Sequence, residues 1–479
     1  MTQRLAAETC VVWFRNDLRL HDHAALTAAV ASGRPIVACF VLDMSATAPG
    51  AATRWWLHTS LAALARQVAA LGGRLVLRRG SAAREVAAVA AECGAAEVHC
   101  SKSYEPDGRA AEAALRELLA VRGARLVVHA GELLFDPTQL RNQAGDPFKV
   151  FTPFWNACLR MPEIGAPLPQ PARLAFAAPR VASEALDSWQ LQPKAPDWAG
   201  GLRVAWRPGE AAAREQLAAF AGTPLESYRH ERDRPDRSGS SRLSPYLHFG
   251  EVSVRTVWQA VRAAPTGEGA AAFARELGWR EFARHLLWHW PAFATEPFRA
   301  EFRRFPWRED AEALARWQLG ATGYPLVDAG MRELWQTGWM HNRVRMVAAS
   351  FLVKHLLVPW QRGAEWFWDT LVDADLANNS AGWQWVAGSG ADAAPYFRIF
   401  NPLLQAQKFD PDGAYVRRYV PELAALPTQF IHAPRTAPPL VLQAAGVELG
   451  GNYPVPMVEH AQARARALAA YAACQRTRG

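Results

Sequence analysis

The chain has 479 residues, 53 basic against 45 acidic side chains for a formal net charge of +8, half of its residues hydrophobic and a fifth charged. That length holds two or three domains, each able to bury a core, and the composition excludes a disordered chain. No run of 18 uncharged apolar residues occurs, so no membrane span is expected, and the opening MTQRLAAETCVVWFRND lacks the apolar stretch of a secretory signal.

The six cysteines (Cys10, Cys39, Cys93, Cys100, Cys158, Cys474) are scattered without a CxxC pair, which speaks against a disulfide scaffold or a cysteine-based zinc site and suits a reducing cytoplasm. The positive charge permits an anionic partner without proving one. Of the basic residues 48 are Arg and 5 are Lys, a bias that a GC-rich genome would also produce. More telling are the 20 Trp, of which 13 fall between residues 251 and 400 and three in the first 150. A buried indole N–H must find a partner. A local excess therefore asks for stacking, cofactor packing or electron transfer, beside the core-filling that accounts for most of them.

In chain order, short β-branched apolar runs appear at Thr9–Phe14, Pro35–Leu42, Arg74–Leu77, Glu97–Cys100 and Arg125–His129. Ala/Leu-rich stretches of helical period separate them at Thr53–Leu71, Ala82–Cys93 and Gly108–Val121. This alternation predicts a doubly wound parallel sheet of the Rossmann type. Neither GxGxxG nor GxxxxGK[ST] is present, so any ligand of the sheet is held another way. Seven prolines between Met161 and Gly201, with Trp189 and Trp198 as isolated aromatics, predict a long surface connector. From about Trp206 onward strand alternation gives way to helical stretches punctuated by Gly and Pro. The predicted organisation is an α/β domain over 1–135, a linker over 136–205 and an all-helical domain over 206–479. Residues 201–479 carry 32 basic and 27 acidic side chains, so nucleic-acid affinity there would require local clustering.

Four constellations in the helical half carry chemistry. Arg229–Arg237 is a charge run followed by Ser238-Gly-Ser-Ser-Arg-Leu-Ser244; hydroxyls beside Gly before a helix make a nest of N–H donors that suits phosphate, though such loops also merely cap helices. Glu276, Trp279 and Arg280 stand at i, i+3 and i+4 on one helix face, with small Ala283 continuing it. They could stack and hydrogen-bond a base, or form a plain Glu–Arg pair beside a core Trp. In Gly338–Met346, continued by the apolar helix Val347–Leu357, Asn342 and Met346 share a face. Arg343 and Arg345 point elsewhere and need partners, for which an Asp or a phosphate would serve. Asp373-Ala-Asp-Leu-Ala-Asn-Asn379 with Gly382-Trp-Gln-Trp-Val386 is the densest cluster. It suits a flat heterocycle with a donor/acceptor edge and shows no metal-ligand spacing.

Together VVWFRNDLRLHDHAAL, GSSRLSPYLHFGE, ELGWREFARHLL, TGYPLVDAGMRELWQTGWMHNRVRM and DADLANNSAGWQWVAGSGADAAPYFRIFNP resemble, in order and over nearly the whole chain, the photolyase/cryptochrome flavoproteins, and within them the bacterial cyclobutane pyrimidine dimer photolyases. The resemblance implies an α/β antenna domain, a linker and a helical domain that binds FAD. By position, Tyr228 and Ser240, Ser241, Arg242, Leu243 and Ser244 match the part holding the FAD phosphates and ribityl chain, with Ser240 where the family often has Thr. Arg345 and Asp373 match the ion pair beside the flavin, Asp375 its pyrimidine edge, and Asn379 the residue facing N5; Trp339 belongs to the same cofactor set. Glu276, Trp279, Arg280, Asn342 and Met346 match the lesion pocket, of which Glu276, Arg280 and Asn342 also border the cofactor. Trp383, Trp360 and Trp307 match the chain that photoreduces oxidised FAD. Arg232, Arg343, Trp385, Gln405 and Lys408, with Trp279, match DNA contacts.

The implied chemistry is light-driven: excited FADH⁻ passes an electron to a flipped-out cyclobutane dimer, the ring splits, and the electron returns. The implied partner is UV-damaged DNA, with no membrane, no obligate protein partner, a monomeric chain and no metal. The antenna is expected to be methenyltetrahydrofolate, from the Trp189–Trp206 linker and VAGSGADAAPYF; Tyr104–Arg109 leans instead toward an 8-hydroxy-deazaflavin. Two rivals share the fold. A cryptochrome receptor is disfavoured by the complete Glu276/Trp279/Asn342/Met346 set and by a C-terminus expected to end without a signalling extension. A (6-4) photolyase is disfavoured because it carries a His pair where this chain has His341-Asn342.

Overall fold

The computed structural model describes residues 8–44, 48–177, 181–393 and 397–476. The opening Met1–Ala7 and the Ala394-Pro-Tyr396 part of VAGSGADAAPYF lie outside the described residues. The chain divides into two compact units, each discontinuous in sequence: Met1–Phe148 with Thr152–Leu225 and Ser241–Pro291, and Lys149–Phe151 with Glu226–Ser240 and Ala292–Gly479.

The first unit is organised by a five-stranded parallel sheet of β1 (Thr9–Phe14), β2 (Ile36–Leu42), β3 (Leu75–Arg79), β4 (Ala95–Ser101) and β5 (Arg125–His129), in the order β3-β2-β1-β4-β5. The crossover helices are α1 (Ala24–Ala31), α2 (Ala51–Ala70), α3 (Ala82–Cys93) and α4 (Pro106–Ala120). Central strands of a parallel sheet are covered on both faces, which is why β2 reads as a continuous apolar run and is buried along its whole length. The strand order reverses between β1 and β4. There the protein's own polar groups meet: Ser101 donates to Asp17 (2.5 Å), His23 Nε2 lies 3.1 Å from Asp17, and Arg15 pairs with Glu112 (2.7 Å).

Each predicted strand is present within two residues of its expected ends. Helix α1 was not expected: it has only eight residues, and its cap is the ring of His23, whose Nδ1 accepts the Leu26 N–H (3.1 Å). The connector expected on the surface is largely irregular and exposed, but Trp189 is buried. Its Nε1 donates to Glu184 (2.9 Å) and its ring meets Phe40, so that indole packs onto the sheet. All six cysteines are buried and none forms a disulfide.

Among the described residues the second unit's regular structure is helical apart from one isolated bridge, Leu449 to Tyr453. Its core gathers Trp317, Leu326, Val347, Phe351, Trp360, Phe367, Trp383 and Tyr415. The apolar helix expected over Val347–Leu357 is broken: an α-helix ends at Ser350, a π-helical turn spans Phe351–Leu356, and Leu357 takes φ +58. Lys354 in that turn is buried. Its Nζ donates to Ala387 O (2.8 Å) and sits 2.9 Å from the Phe397 ring centroid, and burial holds its amine well below the usual lysine range. Among the described residues no helix is long and apolar enough to cross a membrane.

In the first unit Glu251 is completely buried and accepts from Trp56 Nε1 (3.2 Å) and the Ser60 hydroxyl of α2. Burial pushes its carboxyl from 4.5 up to about 8. Between these values the folded chain keeps a proton that the unfolded chain has released. Stability from this site is therefore full below about pH 4.5 and is lost as the pH rises toward 8, at about 1.4 kcal/mol for each tenfold difference in proton affinity. Glu251→Gln keeps the shape and the acceptor. It should leave stability unchanged near pH 5 and raise it by a few kcal/mol at pH 9, read as a pH-dependent gap in Tm between variant and parent.

Candidate functional site

In the first unit the helix α5 (Glu268–His289) carries Glu276, Trp279 and Arg280. Buried charges fix its position. Arg284, 1% exposed, pairs with Glu132 (2.9 Å) and Glu105 (3.1 Å). Glu281 accepts the N–H groups of Leu134 (3.0 Å) and Phe135 (3.2 Å), and burial pushes its carboxyl up to about 7. Gly278 is required, because a Cβ there would enter the Trp155 ring. Arg280 donates to Glu132 O (3.1 Å) and to Glu281 (3.3 Å). Glu276 and Trp279 are half-buried, and Trp279 packs edge-on to Phe282.

Of the phosphate-nest candidates, Ser240 belongs to the second unit; Gly239 before it packs so closely on Glu231 that no Cβ fits. Ser241–Ser244 belong to the first. Arg242 takes φ +51, and its guanidinium lies 4.2 Å from the Trp206 centroid. Ser241 Oγ accepts the N–H of buried Leu243 (3.3 Å), and exposed Ser244 opens a short helix.

In the second unit two helices start side by side. The helix α6 (Asn342–Ser350) is capped by His341, whose Nδ1 accepts Arg343 N–H (3.2 Å); burial lowers this imidazole to about 4 and keeps it neutral. The helix α7 (Leu376–Ala387) is capped by Asp375, which accepts Asn378 N–H (2.8 Å) and Nδ2 (3.0 Å). Arg345 joins them: Nη2 donates to both oxygens of buried Asp373 (2.9 and 3.1 Å), and Nε to Met340 O (2.7 Å). Trp339 is buried and lies 5.8 Å from the Arg345 guanidinium. Asn342 is exposed and Met346 half-buried on one face of α6. Asn379 donates Nδ2 to Ala364 O (3.0 Å), which turns its Oδ1 away from that carbonyl as an acceptor.

Trp383 is 2% exposed with its Nε1 buried and unpartnered, and its ring meets Phe367 and Trp317. Trp360 is buried and Trp307 half-buried against Phe305. Trp385 is half-buried, Gln405 is half-buried with Oε1 unpartnered, and Lys408 is exposed. Tyr228 is buried beneath Arg232, and Arg343 pairs with Asp233 (2.8 Å).

Sequence reasoning missed several residues that position these groups. Glu333 accepts from His341 N–H (3.1 Å), Tyr415 (2.6 Å) and Tyr419 (3.3 Å), so it holds the start of α6. Trp317, fully buried, donates to Ala348 O and touches Trp383. Apart from His341, eight residues from Glu333, their partners lie tens of residues away, and no local spacing announces them.

Two family models match: DNA photolyase over residues 10–172 and the FAD binding domain of DNA photolyase over 273–473. A deoxyribodipyrimidine photo-lyase of Agrobacterium fabrum is 48% identical over 472 residues, covering 98% of both chains. The crystal structure of a bacterial class III photolyase from Agrobacterium tumefaciens superposes with a TM-score of 0.96 at 47% identity, covering 99% of each chain. Cryptochrome-1 of Arabidopsis thaliana is 39% identical over 95% of this chain and 69% of its own length. The chain belongs to the DNA photolyase/cryptochrome family and has its α/β plus helical architecture.

The second unit's donor set fits the FAD that this family's domain binds. A guanidinium–carboxylate pair, a capping carboxylate and an amide oxygen open to a donor offer complementary partners to the edge of a flat heterocycle. Gly363 faces the Trp383 ring so closely that a Cβ would collide with it. Gly363→Ala gains up to about 1 kcal/mol of helix propensity against about 1–3 kcal/mol of overpacking. Net destabilisation is the expected outcome in denaturant unfolding; a more stable variant would mean that the indole does not occupy this place.

Proposed function

We propose that the chain is a light-driven lyase that repairs cyclobutane pyrimidine dimers in DNA. The observation that carries this reading is the near full-length similarity to a deoxyribodipyrimidine photo-lyase, together with a donor set that fits FAD. When bound and reduced, FAD would supply light-driven electron donation to the dimer. Arg345, Asp373, Asp375 and Asn379 hold and polarise the flavin edge, while Tyr228 and the Ser240–Ser244 segment hold the phosphates and ribityl chain. Trp279 stacks on the extruded dimer, whose poor stacking in the duplex lowers the cost of extrusion. Glu276 stabilises the negative charge that develops on the dimer. Asn342 and Met346 line the lesion, and Arg232, Arg343, Gln405 and Lys408 hold flanking phosphates without reading sequence. Trp383, Trp360 and Trp307 would form the path by which electrons reach a bound FAD. The antenna is methenyltetrahydrofolate, as the resemblance of the Trp189–Trp206 linker and of VAGSGADAAPYF implies, and the setting is the cytoplasm.

A repair assay tests the reading. The anaerobically reduced protein is mixed with oligothymidine containing cyclobutane dimers, illuminated at near-UV and blue wavelengths, and followed at the thymine band. Light-dependent recovery of absorbance, absent in darkness, is expected. No recovery with FAD bound and reduced would overturn the reading in favour of the (6-4) lesion or of a cryptochrome receptor, the class to which the Arabidopsis relative belongs. Glu276→Ala should lower the repair quantum yield about tenfold or more with FAD content unchanged, on the scale of losing one electrostatic contact; an unchanged yield would remove Glu276 from the mechanism.

A further inference from the structure

The segment Glu226–Ser240 of the second unit contains the charge run Arg229–Arg237. Most of its charges pair within the segment: Arg234 with Asp236 (2.6 Å) and Arg237 with Glu231 (2.8 Å). Asp233 is different, because it faces two arginines assigned above to DNA phosphates. Arg343 donates to it through Nε (3.3 Å to Oδ1) and Nη2 (2.8 Å to Oδ2). That side-on fork is the one a phosphate's two oxygens would accept. Arg232 Nε lies 4.0 Å from Oδ1 of the same carboxylate. Aromatic faces hold both guanidinium groups in place: Arg343 lies 4.5 Å from the Phe409 centroid and Arg232 5.4 Å from that of Tyr228. The pair nevertheless remains open to solvent, with side-chain exposures of 20% for Arg343 and 34% for Asp233. A phosphate can therefore reach the edge that Asp233 occupies.

We propose that Asp233 is a specificity-determining residue that stands in for a DNA phosphate on Arg343 and weakens its grip on undamaged DNA. The inference rests on the repair reading. A passing duplex brings its phosphate against a guanidinium already neutralised and beside a negative charge, so the contact contributes little. A dimer seated in its pocket adds interactions that undamaged DNA lacks, and these offset the cost of exchanging Asp233 for phosphate. An exposed pair is worth little in itself, so the exchange is feasible and its effect moderate. His341 also faces this pair but is held neutral by burial, so the balance rests on the two arginines and one carboxylate.

The test measures affinity for undamaged and for dimer-containing duplex, in darkness, across a range of NaCl, with full-length FAD-loaded protein. Asp233→Asn should tighten binding to undamaged duplex roughly three- to fivefold, the scale of one exposed pair released. It should steepen the salt dependence by about 0.9 in log–log slope, one more phosphate contact. Dimer-containing duplex should gain less, so the preference for damage falls. The gain should shrink by more than half in an Arg343→Gln background, and Glu365→Gln, at an exposed carboxylate 3.4 Å from Arg362 that changes net charge equally, should shift affinity less than twofold. FAD content and Tm report folding, and Asp233→Ser replaces the Asn variant if that loses FAD. An unchanged or weaker affinity for undamaged DNA overturns the proposal. So does an equal gain on both duplexes, an undiminished gain without Arg343, or a matching gain in Glu365→Gln. A parent protein with no preference for dimers overturns the repair reading itself; a parent that prefers them, with a silent Asp233→Asn, removes only the role of Asp233.

Discussion

The Arg345–Asp373 pair is the constraint on which the second unit's site depends. A guanidinium set among apolar helices needs its charge and its donors satisfied. Arg345 meets that need by reaching Met340 O on its own side and both carboxylate oxygens of Asp373 on the other. The backbone bond from Val372 N to Gly338 O (2.8 Å) runs between the same two segments. Two helix starts are thereby locked together, one carrying Asn342 and Arg343, the other Asn379 and Trp383. Each is capped by its own side chain, His341 or Asp375, so the candidate groups stand on rigid elements and not on loops.

The first unit solves the same problem by other means. Its long helix Glu268–His289 is held by two buried charges: Arg284 between Glu105 and Glu132, and Glu281 under two backbone N–H groups. Breaking one member of such a network leaves the other buried and unpaired, which is costly, so the network specifies one placement of the helix. Glu276 and Trp279 inherit their position from it. The π-helical turn of the second unit follows the same logic, since buried Lys354 must find the Ala387 carbonyl and an aromatic face.

Much of this was legible in the chain. The five strands announce themselves because a parallel sheet covered on both faces demands unbroken β-branched runs, and the long helices because their period persists over several turns. The candidate residues around 276, 342 and 373 were legible as unusual groupings of polar and aromatic types, and the resemblance assigned them roles. Helix Ala24–Ala31 was hidden by its length and its histidine cap. The burial of Trp189, an isolated aromatic in the predicted connector, was hidden because composition cannot show that Glu184 waits for its indole N–H. The turn at Phe351–Leu356 was hidden because Lys354 is stabilised by Ala387 and Phe397, tens of residues away.

By itself the sequence determined the alternation of elements, the architecture and the inventory of groups available to a flavin and to DNA. Those follow from local periodicity and from residue types, which neighbours within a turn or two decide. Only the tertiary structure decided the pairings: Arg345 with Asp373 across 28 positions, Arg343 with Asp233 across 110, and Tyr415 with Glu333 across 82. The chain holds far more possible carboxylate–guanidinium pairs than it uses. Packing selects among them, because a charge removed from water must meet its partner wherever the fold brings one.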